Sequence, residues 1–392
     1  MKAKIILLVA AATWGGLCIP FHSTRAQTWT QTSAPTNKWS SVASSADGSK
    51  LVAGIDNGGI YTSTNLGSAW TQTSAPTNMW SSVASSADGT ILAATCVGPG
   101  VYVSTDSGAT WMHSVNTTGY WSSVASSADG RKIVAVDGGP SAICSSTNFG
   151  LTWTSNSSPH NDMFAIASSA NGNRLVAAAA NGGPIYTSTN LGVTWTLRSA
   201  PIKYLECVAS SADGTRLAVG SAFAFFFGEY TNYSSIYVST NSGATWTSNA
   251  FPDVDGFYSI VSSADGSKLV AGGSEHTYVS TNSGVTWTFL ADDDGMSPAA
   301  ISADGNKLIA TRDGGIWISQ ITPTPRMSIT STSDNLKVSW LVPSTNLVIQ
   351  QSLDLSSWTD MTDTPLLNLT NLQNEVILSP TGSSVFFRLK TP

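Results

Sequence analysis

Short runs in which apolar and polar residues alternate follow one another along almost the whole chain. One stretch reads WSSVASS from Trp39, KLVAGI from Lys50, IYTST from Ile60 and AWTQTSA from Ala69, with Gly-, Asn- and Asp-rich turns between the runs. A period of two, in segments rich in Val, Ile, Tyr, Trp and Thr, is typical of β-strands. The pattern therefore predicts an all-β protein built of many short strands.

This group of four strands repeats. The turn SSADG or a close variant follows the first strand of each copy, with its Asp at 47, 88, 129, 213, 265 and 304 and with Asn171 in the fourth copy. A period of roughly 40–45 residues with four strands is the signature of a β-propeller blade. The array therefore predicts a propeller.

The first and last copies are out of phase in a way that suggests ring closure. The segment TWTQTSAPTN from Thr28 matches AWTQTSAPTN from Ala69, so it is a fourth strand without its first three. The last copy stops after a third strand at Gln320. Pairing the two ends completes a blade and removes two open sheet edges. We expect a seven-bladed propeller over residues 27–321, closed by the N-terminal strand.

An eight-residue box with the pattern STNxGxxW, or STDSGATW in one copy, lies between the third and fourth strands of six copies. We expect its Asn or Asp to accept hydrogen bonds from downstream N–H groups, its Gly to adopt a positive φ, and its Trp to pack between sheets. The acceptor positions are Asn65, Asp106, Asn148, Asn190, Asn241 and Asn282. The Trp positions are Trp70, Trp111, Trp153, Trp195, Trp246 and Trp287.

These boxes resemble the Asp-box (BNR) repeats of sialidases, sortilin-type receptors, xyloglucan-degrading propellers and photosystem II assembly propellers, over residues 28–320. The resemblance implies a propeller fold in which the boxes are structural. Five of the six boxes carry Asn in place of Asp, which removes the charge and argues against metal binding. Sialidase activity is not expected, because Arg131, Arg174 and Arg216 fall in the SSADG-type turns rather than in a cluster for a sugar carboxylate.

The segments outside the repeats indicate export and a second module. Residues 1–26 combine Lys2 and Lys4 with an apolar run and a Thr-Arg-Ala cleavage pattern, as in a secretory signal peptide. We therefore expect a secreted, periplasmic or cell-surface protein without membrane insertion after cleavage. Residues 322–326 are a Pro-rich linker, and residues 327–392 resemble the immunoglobulin-like or fibronectin-like β-sandwich modules of exported proteins.

Charge and cysteine content narrow the function further. The net charge is -6, so the chain lacks the basic field that attracts nucleic acid, and no nucleic-acid partner is expected. Cys96, Cys144 and Cys207 lie in strand-like runs and are interpreted as free buried residues. The histidines are isolated from one another and from Cys, so no metal or cofactor is predicted from them.

Candidate chemistry lies on the face formed by the second-to-third and fourth-to-first connections. In blades five to seven these connections are acidic, and the weak catalytic candidates are Asp253, Asp255, Asp292, Asp293, Asp294 and Asp313. The one long insertion, residues 222–235, is aromatic, and the ligand-binding candidates in and near it are Phe225, Phe227, Glu229, Tyr230, Tyr233 and Glu275. Aromatic rings beside carboxylates suit a sugar-binding cleft. Solvated turns and a calcium site are the alternatives.

A recurring aromatic residue begins the inner strand of the first three blades: Trp39, Trp80 and Trp121, with Phe164, Tyr204 and Tyr258 near the equivalent positions. These rings either surround the mouth of the central channel, as ligand contacts, or pack between blades. With no complete catalytic set, the leading hypothesis is a non-enzymatic binding or scaffold propeller that recognises a glycan or a protein. The alternatives are a glycoside hydrolase with paired carboxylates and an assembly factor similar to the photosystem II propellers.

Overall fold

The structure, a computed structural model, contains only β-strands and turns in its described part. The described residues are 29–115, 119–139, 143–160, 162–180, 183–198, 204–222, 225–226, 229–230, 234–251, 254, 256–273, 276–290, 297–320, 327–331, 335–341, 348–352, 357–361, 365–368, 373–378 and 386–390. They form two compact units, one within residues 29–320 and one within residues 327–390.

The larger unit is a β-propeller, in agreement with the expected all-β class. After strand β1 (Trp29–Gln31), the first blade consists of β2 (Trp39–Ser44), β3 (Leu51–Ile55), β4 (Ile60–Ser63) and β5 (Thr71–Gln72). The second consists of β6 (Met79–Ser85), β7 (Leu92–Gly98), β8 (Gly100–Ser104) and β9 (Met112–Val115). The third consists of β10 (Gly119–Ser126), β11 (Ile133–Asp137), β12 (Ile143–Ser146) and β13 (Thr154–Asn156).

The remaining blades follow the same antiparallel order. Blade 4 consists of β14 (Met163–Ser168), β15 (Leu175–Ala179), β16 (Ile185–Ser188) and β17 (Thr196–Arg198). Blade 5 consists of β18 (Leu205–Ser210), β19 (Leu217–Ser221), β22 (Ser234–Ser239) and β23 (Thr247–Phe251), with a hairpin of β20 (Phe225–Phe226) and β21 (Glu229–Tyr230) inserted. Blade 6 consists of β24 (Ser259–Ser262), β25 (Leu269–Gly272), β26 (Thr277–Ser280) and β27 (Thr288–Phe289). Blade 7 begins with β28 (Ser297–Ile301), β29 (Lys307–Arg312) and β30 (Gly315–Gln320).

Strand β1 closes the ring. It pairs antiparallel with β30, with Trp29 opposite Ser319 and Gln31 opposite Trp317, and so supplies the fourth strand of blade 7. The closure predicted from the phase of the repeats is confirmed. The two ends of the array would otherwise each present an unpaired sheet edge.

A second ring, made of backbone hydrogen bonds, links the seven SSADG-type turns. Ala46 N donates to Ala87 O at 2.8 Å, and the same bond recurs from each blade to the next until Ala303 N donates to Ala46 O at 2.7 Å. The intermediate members are Ala128, Ala170, Ala212 and Ala264. The small Ala side chain permits seven turns to meet around the axis.

The core lies between blades, because each sheet buries both of its faces. In β11, Val134 and Val136 pack against blade 4, whereas Ile133 and Ala135 pack toward blade 2. All five residues of this strand are therefore buried, as are those of β3, β15 and β19. Successive side chains along the strand therefore pack against the two neighbouring blades in turn, rather than facing the core and the solvent in turn.

The second unit contains β31 (Met327–Ser331), β32 (Leu336–Leu341), β33 (Val348–Ser352), β34 (Thr359–Asp360), β35 (Leu366–Asn368), β36 (Gln373–Leu378) and β37 (Phe386–Lys390). Its two sheets have the strand orders β31-β32-β36-β35 and β34-β33-β37. Val338 and Trp340 of the first sheet share a buried core with Ile349 of the second. The unit is therefore a small two-sheet arrangement.

Candidate functional site

The propeller has two faces with different chemistry. We call the side that carries the SSADG-type turns and the boxes the turn face. The side that carries the second-to-third connections and the interblade connections is the loop face. Within each of the first six blades the two kinds of turn are bonded together: Leu66 N, for example, donates to Ser49 O at 2.9 Å. The inner strands begin at the loop face and end at the turn face.

All six boxes form the same hydrogen-bonded turn. In the first box Asn65 Oδ1 accepts from Ala69 N at 2.9 Å, and Ser63 Oγ accepts from Gly67 N at 2.9 Å and donates to Asn65 Oδ1. Asp106 makes the equivalent bond with Thr110 N, and the other four boxes repeat it. The expected acceptor role is thus confirmed by geometry.

Two features of the box were not predicted from its sequence. The box Ser is a second anchor, and the residue before the Gly also adopts a positive φ, for instance Leu66 at 58° and Phe149 at 60°. The six box Trp rings are half-buried and pack on interblade cores, as expected. The indole N–H of Trp246 donates to Gly243 O at 3.1 Å, whereas that of Trp195 is buried without a partner.

The charged groups of the turn face serve the fold. Asp47 accepts hydrogen bonds from Ser45 and Ser49; burial acts to raise its pKa, but these bonds outweigh burial and the pKa is lowered. Lys307 of blade 7 reaches across to donate to Asp47 O at 2.8 Å, and Lys268 of blade 6 donates to Gly305 O. Long cationic side chains therefore join neighbouring turns, and this face has little chemistry left for a ligand.

Small residues line the turn-face end of the central channel. A cavity of about 180 Å³ lies there, lined by the Ser residues that end the inner strands and by the Ala residues of the hydrogen-bonded ring. Its lining contains no ionisable side chain. Only a very small polar molecule would fit, so the turn-face end of the channel is not a binding site for a larger ligand.

The ligand candidates Trp39, Trp80 and Trp121 are packed in the cores between neighbouring blades. Trp80 and Trp121 are only 2% and 1% exposed, and the indole N–H of Trp39 donates to Gly314 O at 3.0 Å. Their counterparts on blades 4, 5 and 6 are Met163, Leu205 and Phe257, also buried. The structure therefore favours the packing alternative and leaves these rings almost no surface for a ligand.

A repeated β-bulge moves the exposed position by one residue. In each of blades 1 to 5 the register shifts between the buried residue and the second residue after it, so one extra residue lies between them. The extra residues are Ser40, Ser81, Ser122, Phe164 and Glu206, and Tyr258 occupies the same place before β24. We call these six the bulge positions. They lie at the loop-face mouth of the channel.

The bulge positions differ sharply between the two halves of the ring. Ser81 and Ser122 donate to the carbonyls of Trp121 and Met163 on the next blade. Phe164 and Tyr258 are instead 39% and 50% exposed. Burial raises the pKa of the Glu206 carboxyl, which has no hydrogen bond or ion pair with any described residue. Sequence reasoning missed Glu206, although each bulge position stands five residues before the Ser of its turn.

Asp313 lies in an open pocket of about 500 Å³ between blades 7 and 1 on the loop face. Lys38 and Arg312 also line this pocket, and each pairs with a carboxylate, Lys38 with Asp56 and Arg312 with Asp313. Asp313 has a φ of 50° and Gly314 a φ of 73°, as in a tight two-residue hairpin turn. No second acidic side chain lines this pocket to pair with Asp313 in catalysis.

The remaining candidates fall largely outside the described residues. Asp253, Asp255, Asp292, Asp293, Asp294, Phe227, Tyr233 and Glu275 all lie there, and only the backbone of Phe225, Glu229 and Tyr230 is described. That backbone forms the inserted hairpin, with Phe225 opposite Tyr230. Ala222 bridges to Gly256, and Val254 between the two Asp positions is buried in the core. The root of the insertion is thus attached to the connection between blades 5 and 6.

The described part of the chain contains neither a group of residues suited to a metal ion nor an exposed thiol. No group of three or more His, Cys, Asp or Glu residues there could hold a metal ion. Cys96, Cys144 and Cys207 are free and buried, as expected, and burial raises the pKa of each thiol. Among the described residues, no helix is long and apolar enough to cross a membrane.

The fold is shared with solved propeller structures, although the sequence matches no protein-family model and no curated protein. A YCF48 bound to a D1 peptide superposes with a TM-score of 0.58 at 15% identity, covering 81% of this chain and 100% of that chain. Hydrazine synthase from Kuenenia stuttgartiensis gives 0.58 at 14% identity, covering 78% and 99%. An ancestral GH74 enzyme gives 0.57 at 15%, covering 81% of this chain and 54% of the enzyme. At such identities the similarity establishes the β-propeller fold and no shared activity.

Proposed function

We propose that this chain is an exported, non-enzymatic binding propeller that holds a protein partner on its loop face. The observation that carries the proposal is the contrast between the faces. On the turn face the acceptors and cations are bonded to the protein itself. On the loop face, blades 4, 5 and 6 carry Phe164, Glu206 and Tyr258. At the same position, blades 2 and 3 carry a Ser that is hydrogen-bonded to the next blade, so packing does not require the larger side chains.

A protein partner is favoured over a glycan by a structural analogy. A YCF48 with a similar fold is bound to a D1 peptide, so a protein with this fold can bind a peptide. The loop-face ends of the described strands, together with the blade-5 hairpin, offer a surface for such a contact. The analogy concerns the fold alone.

The finer assignments belong to the same proposal. The six boxes are proposed to be Asp-box (BNR) repeats, supported by the shared geometry of their Asn or Asp acceptors. Residues 327–392 are proposed to be an immunoglobulin-like or fibronectin-like module joined by the linker 322–326, supported by the two sheets around one core. Residues 1–26 are proposed to be a signal peptide that directs export.

The test is to find a ligand and map its footprint. Protein comprising residues 27–392 is screened against a peptide display library and a glycan array, and hydrogen–deuterium exchange is then measured with and without the best ligand. We expect peptide binding without turnover and protection of loop-face segments such as 55–60 and 97–100. Protection confined to the turn-face segments 45–50 and 86–91, or selective binding of glycans, would contradict the proposal.

A glycoside hydrolase remains the second candidate because of Glu206. A half-buried carboxyl with a raised pKa stays protonated to higher pH and can act as a general acid. Exposed aromatic rings on the neighbouring blades suit sugar stacking. Release of reducing ends from a polysaccharide, lost in Glu206→Gln, would establish this candidate over the first.

A further inference from the structure

We infer that the bulge positions of blades 4, 5 and 6 form a binding site for a cationic side chain, an arginine or lysine of the protein partner. The inference rests on the proposed function and names the chemistry that the loop face recognises. The site consists of the Glu206 carboxylate with Phe164 on one neighbouring blade and Tyr258 on the other.

The backbone brings Glu206 and Tyr258 to one place. Ser221 pairs with Leu205, the residue just before Glu206. Ser221 O also accepts a hydrogen bond from Phe257 N at 3.1 Å, and Phe257 immediately precedes Tyr258. A single residue of β19 therefore contacts the chain directly before each of the two site residues.

The two residues are also anchored in the core beside them. Cys207 Sγ contacts Phe257 O at 3.3 Å, and both residues belong to the core between blades 5 and 6. Phe164 stands at the same bulge position on β14, the inner strand next to β18. Three consecutive blades thus carry one of these residues each at the same position, five residues before the Ser of the turn.

Packing does not explain why these three residues are large. At the same position on blades 2 and 3, a Ser side chain donates to the carbonyl of the next blade. On blade 5 the thiol of Cys207 makes the contact with Phe257 O instead, so Glu206 is not needed for it. In a strict repeat, a residue that departs from the pattern and has no packing role is a candidate for a functional role.

The chemistry of the three side chains selects a cation. Glu206 is a half-buried carboxylate that no described cation neutralises, so it gains from a positively charged partner. The exposed rings of Phe164 and Tyr258 provide faces for cation–π contact, which guanidinium makes more often than ammonium. A planar guanidinium can in addition bind a carboxylate through two parallel hydrogen bonds.

The experiment uses the blocked peptide acetyl-Gly-Gly-Arg-Gly-Gly-amide and the same peptide with citrulline, which has nearly the shape of arginine but no charge. Affinities for the full chain without residues 1–26 are measured by NMR titration. We expect the arginine peptide to bind about tenfold more tightly than the citrulline peptide, and to weaken as salt is raised.

The variants test each residue against a matched position. Glu206→Gln should abolish the preference for arginine, and Phe164→Ala and Tyr258→Ala should each weaken binding about two- to fivefold. Ser40→Ala, at the equivalent position of blade 1, where the Ser donates only to Gly54 O of its own blade, should leave the affinity unchanged. Near-UV circular dichroism verifies that every variant is folded.

Three outcomes would overturn the inference. They are equal affinity for the two peptides, a Glu206→Gln variant that keeps the preference, and tight binding of the neutral sugar cellotetraose that depends on the two rings alone. If the peptide found by display still binds the loop face of Glu206→Gln with full affinity, the cation site is wrong while the proposed function stands. Failure of any peptide to bind the loop face would remove the proposed function itself.

Discussion

At the scale of single residues, a few side-chain oxygens hold each turn in shape. Asp47, Asp88 and Asp213 each accept from a Ser two residues earlier and from the backbone N–H two residues later. Burial of each carboxylate opposes ionisation, yet the hydrogen bonds dominate and the three pKa values are lowered from the ordinary value of 3.8. Asn171 fills the same place in blade 4 without a charge.

These lowered pKa values predict an acid-sensitive propeller. An acid whose pKa is lower in the folded state stabilises that state above its unfolded pKa, and the contribution is lost as the pH falls through the folded value. We expect the triple variant Asp47→Asn, Asp88→Asn, Asp213→Asn to have a shallower decline in the free energy of unfolding below about pH 4. Urea denaturation across a pH series measures this. Asn171→Asp is the reverse control and should steepen the decline; superimposable slopes would contradict the assignment.

The box Trp residues allow a second test, because the indole N–H is hydrogen-bonded in Trp246 and has no partner in Trp195. Trp195→Ala should lower the free energy of unfolding by about 3 kcal/mol, because a half-buried ring leaves a cavity beside the core of blades 3 and 4. Trp246→Phe removes the bond to Gly243 O and should cost about 1 kcal/mol more than Trp195→Phe, whose indole N–H has no partner. Denaturant melts of the two Phe variants compare them directly. Equal losses would mean that the Trp246 bond contributes nothing.

At the scale of elements, strand β1 is short but irreplaceable. It covers the edge of β30, and the chain after it adds the bond from Thr32 N to Ile316 O at 2.9 Å and places Ala34 in the core of blades 7 and 1. These contacts join the two ends of the array, which no local segment can do. The loss of β1 is therefore not equivalent to the loss of an ordinary edge strand.

Deletion of residues 27–34 should consequently cause aggregation or a large fall in melting temperature, because two sheet edges become exposed. Light scattering and thermal denaturation measure the two effects. Substitution of Thr71 and Gln72 in β5, a fourth strand of similar length, by Ala serves as a control that keeps the ring closed, and should change little. A soluble deletion variant with unchanged melting would argue against closure by this strand.

At the scale of the whole molecule, two compact units each have a core of their own. The propeller is closed by β1 and by the seven turn-to-turn hydrogen bonds, all within residues 29–320. The smaller unit encloses Val338, Trp340 and Val376 between its own sheets. Among the described residues, the core of Val338 and Trp340 consists of residues of the smaller unit, and that of Trp39 and Ile316 consists of residues of the propeller.

Removal of residues 322–392 should therefore leave the propeller folded, with its melting temperature nearly unchanged, since independent cores unfold independently. Differential scanning calorimetry of the full and shortened chains provides the measurement. Two transitions in the full chain, one of which disappears on truncation, are expected. A single transition that shifts by many degrees when the second unit is removed would show that the two cores are coupled.

Much of the fold was readable from the sequence because its determinants are local and repeated. The alternation in WSSVASS and KLVAGI predicts strands, the Asn or Asp of each box predicts a turn, and the absence of a fourth strand after Gln320 predicts the pairing that closes the ring. The ring closure then followed from a general cost, that of an unpaired edge. The acceptor roles of Asn65 and Asp106 needed no tertiary information, since their partners lie four residues away.

The functional surface depended on the tertiary structure. The sequence left open whether Trp39 surrounds the channel mouth or packs between blades. One inserted bulge residue puts the Trp on the same side as Val42, in the core of blades 7 and 1, and leaves Ser40 as the exposed residue. The sequence also could not predict whether the Lys and Arg side chains near the SSADG turns are free to bind a ligand. Lys307, for example, donates a hydrogen bond to a turn 260 positions earlier in the chain. Sequence alone determined the blades and their number. The tertiary structure decided which side chains remain available, because each bulge is set by how two strands of a blade pair, and the contact of Lys307 with Asp47 forms only when blades 7 and 1 meet.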